Sequence, residues 1–386
     1  MRQLLLFFIA STITLLLAGC ATNSSSSRHA VSSTPPQHIA LLAPLTGPLA
    51  PYGNAIRNGF FTSYYTEKET TGYSPDITVY DTGEKSQSIQ ALYQKVIQEG
   101  ADFIVGPLDK ASVRALVGIQ SIAVPVLALN TTDDGSTNPN VYQFSLSPMD
   151  ETMQAALKIA ADNHKKVIIF APDTENGKRL VSAFTEQWKK TNGTVVAIRY
   201  YSNAASISQI VGEVLNVNLG ADDKQSLDRL LHRNLRYIPS RRQDFDSVFM
   251  VATPSVARQI VPLLRYYFAG SIPVYATSQV NDGKPDADLT GVTFSDIPWV
   301  LAPEKISPAM SQMQQHIRTL WPNVYQRYAK FYALGIDAYL LTMNLYQLES
   351  GKSFKGATGT LSLHDQHINH QLWWAKIGEQ EQAASH

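Results

Sequence analysis

The sequence predicts an α/β fold made of two doubly wound lobes that several chain crossings join. Short runs that are apolar throughout alternate with helical patterns along residues 38–378, and such runs are typical of parallel strands that helices cover on both faces. The alternation occurs twice, with a break near Pro148. Without its first 19 residues the chain of 386 keeps 367, which is more than one small core holds and suits two lobes.

The first lobe is expected at residues 38–146 and again at about 299–349. Its predicted strands are Ile39–Ala43, Ile77–Tyr80, Phe103–Val105 and Val124–Leu129. Apolar residues recur along one face of the helices predicted between them, which are Gly53–Tyr65 and Ile89–Val96. A later helix, Phe331–Leu348, has a leucine-rich stripe and is expected to return to this lobe.

The second lobe is expected at residues 147–298 and about 350–378. Its predicted strands are Val167–Phe170, Val195–Tyr201, Val248–Val251 and Ile272–Tyr275. The segments between them have helical patterns and are Met149–Asn163, Gly177–Lys190, Ile207–Leu219 and Pro254–Tyr267. Two such lobes leave a cleft between them, and α/β sheets bind ligands near the carboxyl ends of their strands.

The amino terminus has the pattern of a secreted lipoprotein. Arg2 precedes an apolar run that ends at Leu17, and small residues lead from there to Cys20. A charged start, a short apolar run and small residues form a secretory signal, and bacterial lipoproteins carry their lipid on a cysteine in this position. A transmembrane helix is the alternative, but the run contains Ser11 and Thr12 and falls short of the roughly 20 apolar residues of a span. We expect residues 1–19 to be a signal peptide.

Residues 20–37 are expected to be the lipid-attachment residue, Cys20, and a flexible tether. Ala21–Gln37 is rich in Ser, Thr and Pro and has no apolar periodicity. Its 17 residues reach at most ~60 Å at roughly 3.3–3.6 Å each. Ala21 stands where an aspartate is typical of lipoproteins kept at the inner membrane, so we expect the periplasmic face of the outer membrane.

Composition and missing motifs exclude several classes of function. Lys plus Arg and Asp plus Glu are both 32, so no net field attracts nucleic acid or an anionic membrane. With Cys20 lipidated, no thiol remains for a disulfide, a nucleophile or a zinc site. Gly-x-Ser-x-Gly, His-Glu-x-x-His and the P-loop pattern do not occur. We expect no catalytic residue, cofactor or metal.

Two features near the carboxyl terminus have a functional and a structural interpretation. His364, His367 and His370 could bind zinc, but the flanking residues predict a hairpin around Asp365–Gln366, where a spacing of three alternates between faces. We interpret them as surface histidines. Trp373–Trp374 is interpreted as part of a strand that packs on a lobe, and a platform for sugar binding is the alternative.

A basic insertion, Gly220–Asp246, separates two predicted strands of the second lobe. One interpretation is a solvated face, because five aspartates balance its basic residues. The other is a docking surface for an acidic partner, formed by Arg229, Arg233, Arg236, Arg241 and Arg242.

Two stretches near the start of the folded part, Ile39–Pro48 and Tyr52–Phe60, resemble type I periplasmic binding proteins, in which a strand and a Pro/Gly turn line the cleft. A set of six motifs along the chain is similar to the LppC family. These motifs are Val79–Thr82, Gly100–Leu108, Leu127–Asn130, Phe144–Glu151, Arg241–Asp246 and Gly356–Leu363. The likeness covers about residues 38–378 and corresponds to the carboxy-terminal, binding-protein-like domain of that family.

The resemblance implies a non-enzymatic outer-membrane lipoprotein that binds and activates a bifunctional, class A penicillin-binding protein and so promotes peptidoglycan synthesis. Long members carry a helical-repeat domain ahead of this one. Here we expect the tether alone to provide reach. An enzyme acting on cell-wall material is a further hypothesis, which the missing motifs oppose.

The alternative function is a receptor that closes two lobes on a small solute. The residues expected to line its cleft follow the strands of the first lobe and are Thr46, Tyr52, Asp81, Pro107, Leu108, Asn130 and Thr131. In relatives that bind amino acids, hydroxyls of the loop after Gly106 hold the ligand carboxylate. Asp109 and Lys110 stand in that loop here, which opposes a free amino acid as the ligand.

Overall fold

The computed structural model describes residues 31–83, 88–132, 134–217, 228–232 and 241–378, and these form two α/β lobes. The predicted fold class is confirmed. Each lobe contains one twisted sheet of mainly parallel strands, with helices on both faces. Cys20, Arg233 and Arg236 lie outside the described residues.

The first sheet is built around five parallel strands in the order β2-β1-β3-β4-β5. These strands are β1 His38–Ala43, β2 Asp76–Asp81, β3 Phe103–Val105, β4 Val126–Ala128 and β5 Val141–Phe144. The helices that follow them in the chain are α1 Ala50–Thr71, α2 Ile89–Gln98 and α3 Lys110–Val117. The strand order reverses between β1 and β3, which is the place where doubly wound sheets bind ligands.

The second sheet repeats this order with β7-β6-β8-β9-β10. Its strands are β6 Lys166–Pro172, β7 Thr194–Tyr201, β8 Ser247–Met250, β9 Val274–Ala276 and β10 Thr293–Asp296. Its helices are α4 Pro148–Ala161, α5 Glu175–Lys190, α6 Ile207–Val214 and α7 Pro254–Tyr266. Apolar side chains cover both faces of this sheet, as the continuous apolar runs in its strands require.

Three further helices follow β10 and extend along the first lobe. They are α8 Pro298–Leu301, α9 Pro308–Leu320 and α10 Pro322–Glu349. Helix α10 packs closely on α1 through two glycines, because a methyl group on Gly59 would overlap Tyr332 O and one on Gly335 would overlap Ile56 O. The apolar stripe of this helix packs in the core of the first lobe.

The last four strands divide between the two sheets. These strands are β11 Phe354–Lys355, β12 Thr360–His364, β13 His367–Gln371 and β14 Trp373–Lys376. The hairpin β12–β13 joins the first sheet, since β13 pairs parallel with β5, whereas β14 pairs antiparallel with β10. The expectation that residues 350–378 belong to the second lobe is therefore wrong for β11–β13. Local sequence predicted the hairpin, but its partner strand depends on tertiary packing.

The chain crosses between the lobes at three points that lie side by side. The first crossing, Ser145–Ser147, joins β5 to α4, the second is Ile297, between β10 and α8, and the third is Leu372, between β13 and β14. Parallel sheets that share three crossings have a common hinge. The side chains at this hinge are where the two lobes communicate.

Part of the expected tether lies on the first lobe. The Val31 amide donates to Glu349 Oε2 at 3.0 Å, the Gln37 amide donates to Asp102 Oδ2 at 2.8 Å, and the Tyr73 hydroxyl donates to Pro36 O. The part of the expected tether from Val31 to Gln37 is therefore held on the first lobe. Within the part of the chain that the structure describes, we find no helix with both the length and the apolar character of a membrane span.

Candidate functional site

The three crossings surround a cavity of about 220 Å³ at the hinge. Residues from both lobes line it, and the polar ones are Ser147, Glu151, Ser278, Gln279, Asp296, Lys330 and His370. Helix α4 begins beside this cavity because Ser147 caps it by accepting from the Asp150 amide at 3.3 Å, with Pro148 in the first turn. The cap fixes the direction in which Glu151 points.

Glu151 is buried and accepts hydrogen bonds from Ser278, in the turn after β9, and from Ser295 in β10. The Ser278 amide donates to Oε1, the Ser278 hydroxyl donates to Oε2 at 3.2 Å, and the Ser295 hydroxyl donates to Oε1 at 3.4 Å. Burial raises the pKa of Glu151, and the nearby Lys330 ammonium and the Ser278 amide partly offset this rise.

Lys330 connects the long helix of the first lobe to the second lobe. Its Nζ lies 2.8 Å from Asp296 Oδ1 and donates to the Ser278 hydroxyl at 2.6 Å. Burial lowers the pKa of Lys330, but the Asp296 and Glu151 carboxylates outweigh burial and the net pKa is raised. Burial also raises the pKa of Asp296, which Lys330 partly offsets. The lysine side chain keeps 37% of its surface exposed, so the ammonium reaches the buried carboxylates from the rim of the cavity.

We call these four residues the hinge cluster, and its ion pair and hydrogen bonds connect the two lobes. Its members are Glu151, Ser278, Asp296 and Lys330. One ammonium faces two carboxylates, and all four side chains are bonded to one another or to backbone amides. Removal of one partner from such a buried pair is strongly destabilising, since it leaves a charge without compensation. The cluster supports a defined relative position of the lobes.

His370 lies beside the cluster and is not a surface residue. Its ring is only 6% exposed, and Nδ1 has no hydrogen-bond partner among the described residues. Burial and the Lys330 ammonium lower the pKa of His370 to about 4, so the ring is neutral at pH 7. The interpretation of all three histidines as surface residues is therefore wrong for His370. His364 is exposed, as predicted, and His367 is partly exposed.

Three of the expected cleft residues lie near the carboxyl ends of β1 and β2, with Thr46 in the loop after β1, Tyr52 in the first turn of α1 and Asp81 at the end of β2. Asp81 organises the loops after these strands by accepting from the Leu45, Thr46 and Gly83 amides at 2.7, 3.3 and 2.8 Å. Burial raises the pKa of Asp81, but these hydrogen bonds outweigh it and the pKa is lowered. The Tyr52 ring packs against Tyr328 and Phe331 of α10, with ring centroids 5.4 and 4.7 Å apart. Asp81 and Tyr52 thus have structural contacts.

The loops after β3 and β4 contain the other four. Leu108 lies in the core of the first lobe, and Pro107 is buried with its carbonyl accepting from Leu129 N at 3.0 Å. Asn130 Nδ2 donates to Leu108 O at 2.8 Å, and Asn130 Oδ1 accepts from Thr131 N. Asp109 caps α3 by accepting from Ser112 N at 2.9 Å. Of this group, Thr131 lines a cavity between the lobes.

That cavity, of about 610 Å³, lies between the β4 loop, helices α4 and α5 and the tip of the β12–β13 hairpin. A second cavity, of about 470 Å³, continues it along α4 and shares Asp150, Met153 and Asn369 with it. Gln154, which lines the second cavity, is occupied by backbone hydrogen bonds to His370 O and Leu372 N. Trp374 also lines it but is mostly buried in strand β14, as the strand interpretation predicts.

The described arginines of the basic insertion differ in their contacts. Arg229 is exposed. Arg242 forms two hydrogen bonds with Asp244, at 2.6 and 2.7 Å, so its charge is compensated. Arg241 donates from Nε to Phe268 O at 2.8 Å and lies over the Phe245 ring. Among the residues in the described ranges, no group of three or more His, Cys, Asp or Glu side chains could hold a metal ion.

The sequence reasoning missed the hinge cluster. Glu151 belongs to the Phe144–Glu151 motif, and its position three residues after Pro148 in a capped first turn is a signal that could have been used. Lys330, Ser278 and Asp296 carry no local signal. They come together only because three distant crossings lie side by side.

A family model described as "LppC putative lipoprotein" matches residues 27–379 of this chain. A penicillin-binding protein activator LpoA from Vibrio vulnificus is 33% identical over 356 residues, which cover 89% of this chain and 57% of that relative. A similar relative from Aliivibrio fischeri is 30% identical over 353 residues, again 57% of its length. The chain thus spans little more than half the length of these relatives.

Solved structures show the same likeness. The LpoA C-domain from Haemophilus influenzae, described as a regulator of PBP1A, has a TM-score of 0.69 and 25% identity, over 89% of this chain and 98% of that domain. A "putative branched-chain amino acid ABC transporter" from Rhodospirillum rubrum has a TM-score of 0.69 at 16% identity, over 89% of this chain and 97% of that one. This second likeness shows the fold alone.

Proposed function

This chain belongs to the LppC family, and from that premise we propose that it is a non-enzymatic activator of a class A penicillin-binding protein. The observation that carries the proposal is the extent of the match. The family model covers residues 27–379, and the described body corresponds to 98% of a domain that is itself described as a regulator of PBP1A.

The activating mechanism that suits this fold is differential binding. A protein that binds the active conformation of a synthase more tightly than the inactive one shifts the population toward the active state. Such a protein needs a defined surface rather than reactive groups. The hinge cluster supports this by fixing one lobe against the other through Lys330, Ser278 and Asp296.

We further propose that Cys20 carries a lipid and holds the protein at the periplasmic face of the outer membrane. The signal-like residues 1–19 and the membership of a lipoprotein family support this. The partner is then a synthase that is reached from that membrane.

The test is a glycan-polymerisation assay with the class A penicillin-binding proteins of the same organism. The chain from residue 20 onward, with Cys20→Ala, is added without lipid, and a heat-unfolded sample is the control. We expect the folded protein to bind at least one synthase in a pull-down and to raise its polymerisation rate several-fold. If the folded protein neither binds nor stimulates any of the class A synthases, the proposal is refuted.

A second function, a receptor for a small solute, is favoured by the cavities between the lobes. The hinge cavity contains two carboxylates and one ammonium, which suits a cationic or hydroxylated solute better than a carboxylate. Thermal-shift measurements with amino acids and muropeptides test it, since a ligand at about 100-fold its Kd stabilises the native state by about 2.7 kcal/mol. Unchanged melting with all of them would exclude this function for those solutes.

A further inference from the structure

Helix α7 ends in a turn whose left-handed position is occupied by phenylalanine. The Ala269 amide donates to Leu264 O at 2.7 Å, and the Phe268 amide donates to Arg265 O at 3.2 Å. Leu264 and Ala269 are both buried, which completes the usual apolar contact of a Schellman turn. Phe268 has φ +60°, a conformation that glycine adopts freely and that is a genuine outlier for a bulky side chain.

Three earlier helices of the same lobe provide an internal comparison. Helices α4, α5 and α6 end in the same turn, and the left-handed residues there are Asn163, Asn192 and Asn216. Asparagine tolerates this conformation. Phe268 therefore departs from the asparagine that these three turns share, and its side chain is 67% exposed, so burial does not compensate the strain. Strain without a gain in stability is a sign of function.

The neighbours of Phe268 have the composition of a protein interface. Tyr266 is 74% exposed. Arg241 donates to Phe268 O at 2.8 Å, and Arg265 donates to Thr290 O at 2.8 Å. Neither guanidinium pairs with a carboxylate among the described residues. We call Arg241, Arg265, Tyr266 and Phe268 the α7-end surface. Exposed aromatic residues and arginines dominate the binding energy of protein interfaces.

We propose that the α7-end surface docks on the class A penicillin-binding protein, with Phe268 and Tyr266 entering an apolar recess whose rim carries carboxylates. This inference rests on the proposed function. The guanidinium groups of Arg241 and Arg265, which form no ion pair with a carboxylate of the described residues, specify the acidic rim. Asp288 is exposed and lies two residues before Thr290, whose carbonyl accepts from Arg265, so this region carries negative as well as positive charge, and this opposes a flat anionic membrane as the occupant.

The test uses two substitutions and a matched control in the lipid-free chain. Phe268→Asn gives this turn the residue that the other three have, so we expect an unchanged or slightly raised Tm and at least a tenfold rise in Kd for the synthase. Tyr266→Ala should weaken binding similarly. Tyr65→Ala removes an equally exposed aromatic side chain, 57% accessible, from the first lobe, and should leave Kd unchanged.

The outcomes separate this inference from the proposed function. Wild-type activation together with Kd values within twofold for Phe268→Asn and Tyr266→Ala would overturn the inference and leave the function standing. A fall in Tm for Phe268→Asn would assign the residue a structural role and also overturn it. Sedimentation velocity measures self-association, and co-sedimentation with vesicles measures lipid binding. If Phe268→Asn abolishes either of these but keeps synthase binding, the surface binds a second copy of the chain or a membrane, and the inference is overturned. Absence of wild-type binding would refute both.

Discussion

His370 is a buried imidazole without a compensating hydrogen bond at Nδ1, and this determines how it responds to pH. The charged side chains that line the same two cavities as His370 are Lys330 on α10, Asp150, Glu151 and Lys158 on α4 and Asp296 on β10. Because burial and Lys330 both oppose the imidazolium, its pKa falls from 6.5 to about 4 on folding.

Replacement of this residue therefore changes the pH dependence of stability. Below about pH 6.5 the unfolded chain binds a proton on His370, whereas the folded protein binds it only below about pH 4, so the stability from neutral His370 is lost as pH falls through this window. Between pH 7 and pH 5 the wild type should lose about 2 kcal/mol more than His370→Gln. Urea unfolding at both pH values measures this. His364→Gln, in the exposed hairpin, is the matched control and should follow the wild type.

The contribution of Asp337 to stability changes with pH in the opposite direction from that of His370, so the two effects must be separated. It is buried and accepts from the Ala357 and Thr358 amides and the Thr358 hydroxyl at 2.6, 2.7 and 2.6 Å. Burial raises its pKa to about 6, so its contribution to stability increases as pH falls from 6 toward its unfolded value. The difference between wild type and variant at each pH isolates His370, since Asp337 is present in both. A constant difference from pH 7 to pH 5 would contradict the lowered pKa.

The sequence alone does not show which of the candidate residues line the cleft and which pack inside the lobe. Leu108 and Asn130 follow parallel strands, as cleft residues do, but Leu108 packs into the core and Asn130 bonds to its carbonyl. A turn that lines a cleft and a turn that closes on itself have the same local sequence. The apolar strands could be predicted, because they depend on neighbours in the chain.

At the scale of elements, the strands and most helices follow from periodicity, whereas the sheet that receives β12–β13 does not. Alternation predicts a hairpin around Asp365–Gln366, and both residues have the positive φ of a tight turn. The pairing of Ile368 with Phe144 is set by where the third crossing places the hairpin. Element type is a local property, and sheet membership is a tertiary one.

The contact between α1 and α10 depends on close approach of two helices at Gly59 and Gly335. In an exposed helix Gly→Ala stabilises by about 1 kcal/mol. At Gly335 the added methyl would overlap Ile56 O and approach Phe60 N, and overpacking costs about 1–3 kcal/mol or more. The overlap is with backbone, which cannot rotate away, so we expect Gly335→Ala to lower the free energy of unfolding by about 2 kcal/mol.

Chemical denaturation of Gly335→Ala measures this change, and Gly118→Ala is its control. A methyl group on Gly118 would have its nearest neighbouring atom at 3.6 Å, and Gly118 itself has a negative φ. We expect the control to remain within about 0.5 kcal/mol of the wild type. Equal stability of both variants would show that α1 and α10 separate without cost.

At the scale of the whole molecule, the three crossings and the hinge cluster make the lobes one mechanical unit. Lys330 on α10 contacts Asp296 and Ser278 of the second lobe directly. The lobes are therefore joined by charged contacts as well as by the chain. The α7-end surface lies on the second lobe, while the amino-terminal segment is bonded to the first through Val31 and Gln37.

That placement limits the reach of the anchor that we propose. Because the Val31 amide is already bonded to Glu349 on the first lobe, only the 10 residues Ala21–Ala30 separate Cys20 from the folded body. Fully extended, they span about 35 Å, compared with the ~60 Å of the whole Ala21–Gln37 segment. The distance from the lipid to the partner can then be no greater than this span plus the length of the folded body.

Cys20→Ala tests whether location and activation are separable. Since the proposed docking surface is on the second lobe and the amino-terminal segment is bonded to the first, the purified variant should stimulate the synthase as well as the unlipidated wild type does. In the cell the variant should leave the membrane fraction and lose its effect on peptidoglycan synthesis. Ala21→Asp, which keeps the cysteine, should remain in the membrane fraction but move to the inner membrane. Membrane fractionation and incorporation of labelled cell-wall precursor give the two readouts, and full activity of the soluble Cys20→Ala variant in the cell would show that the anchor does not restrict the partner.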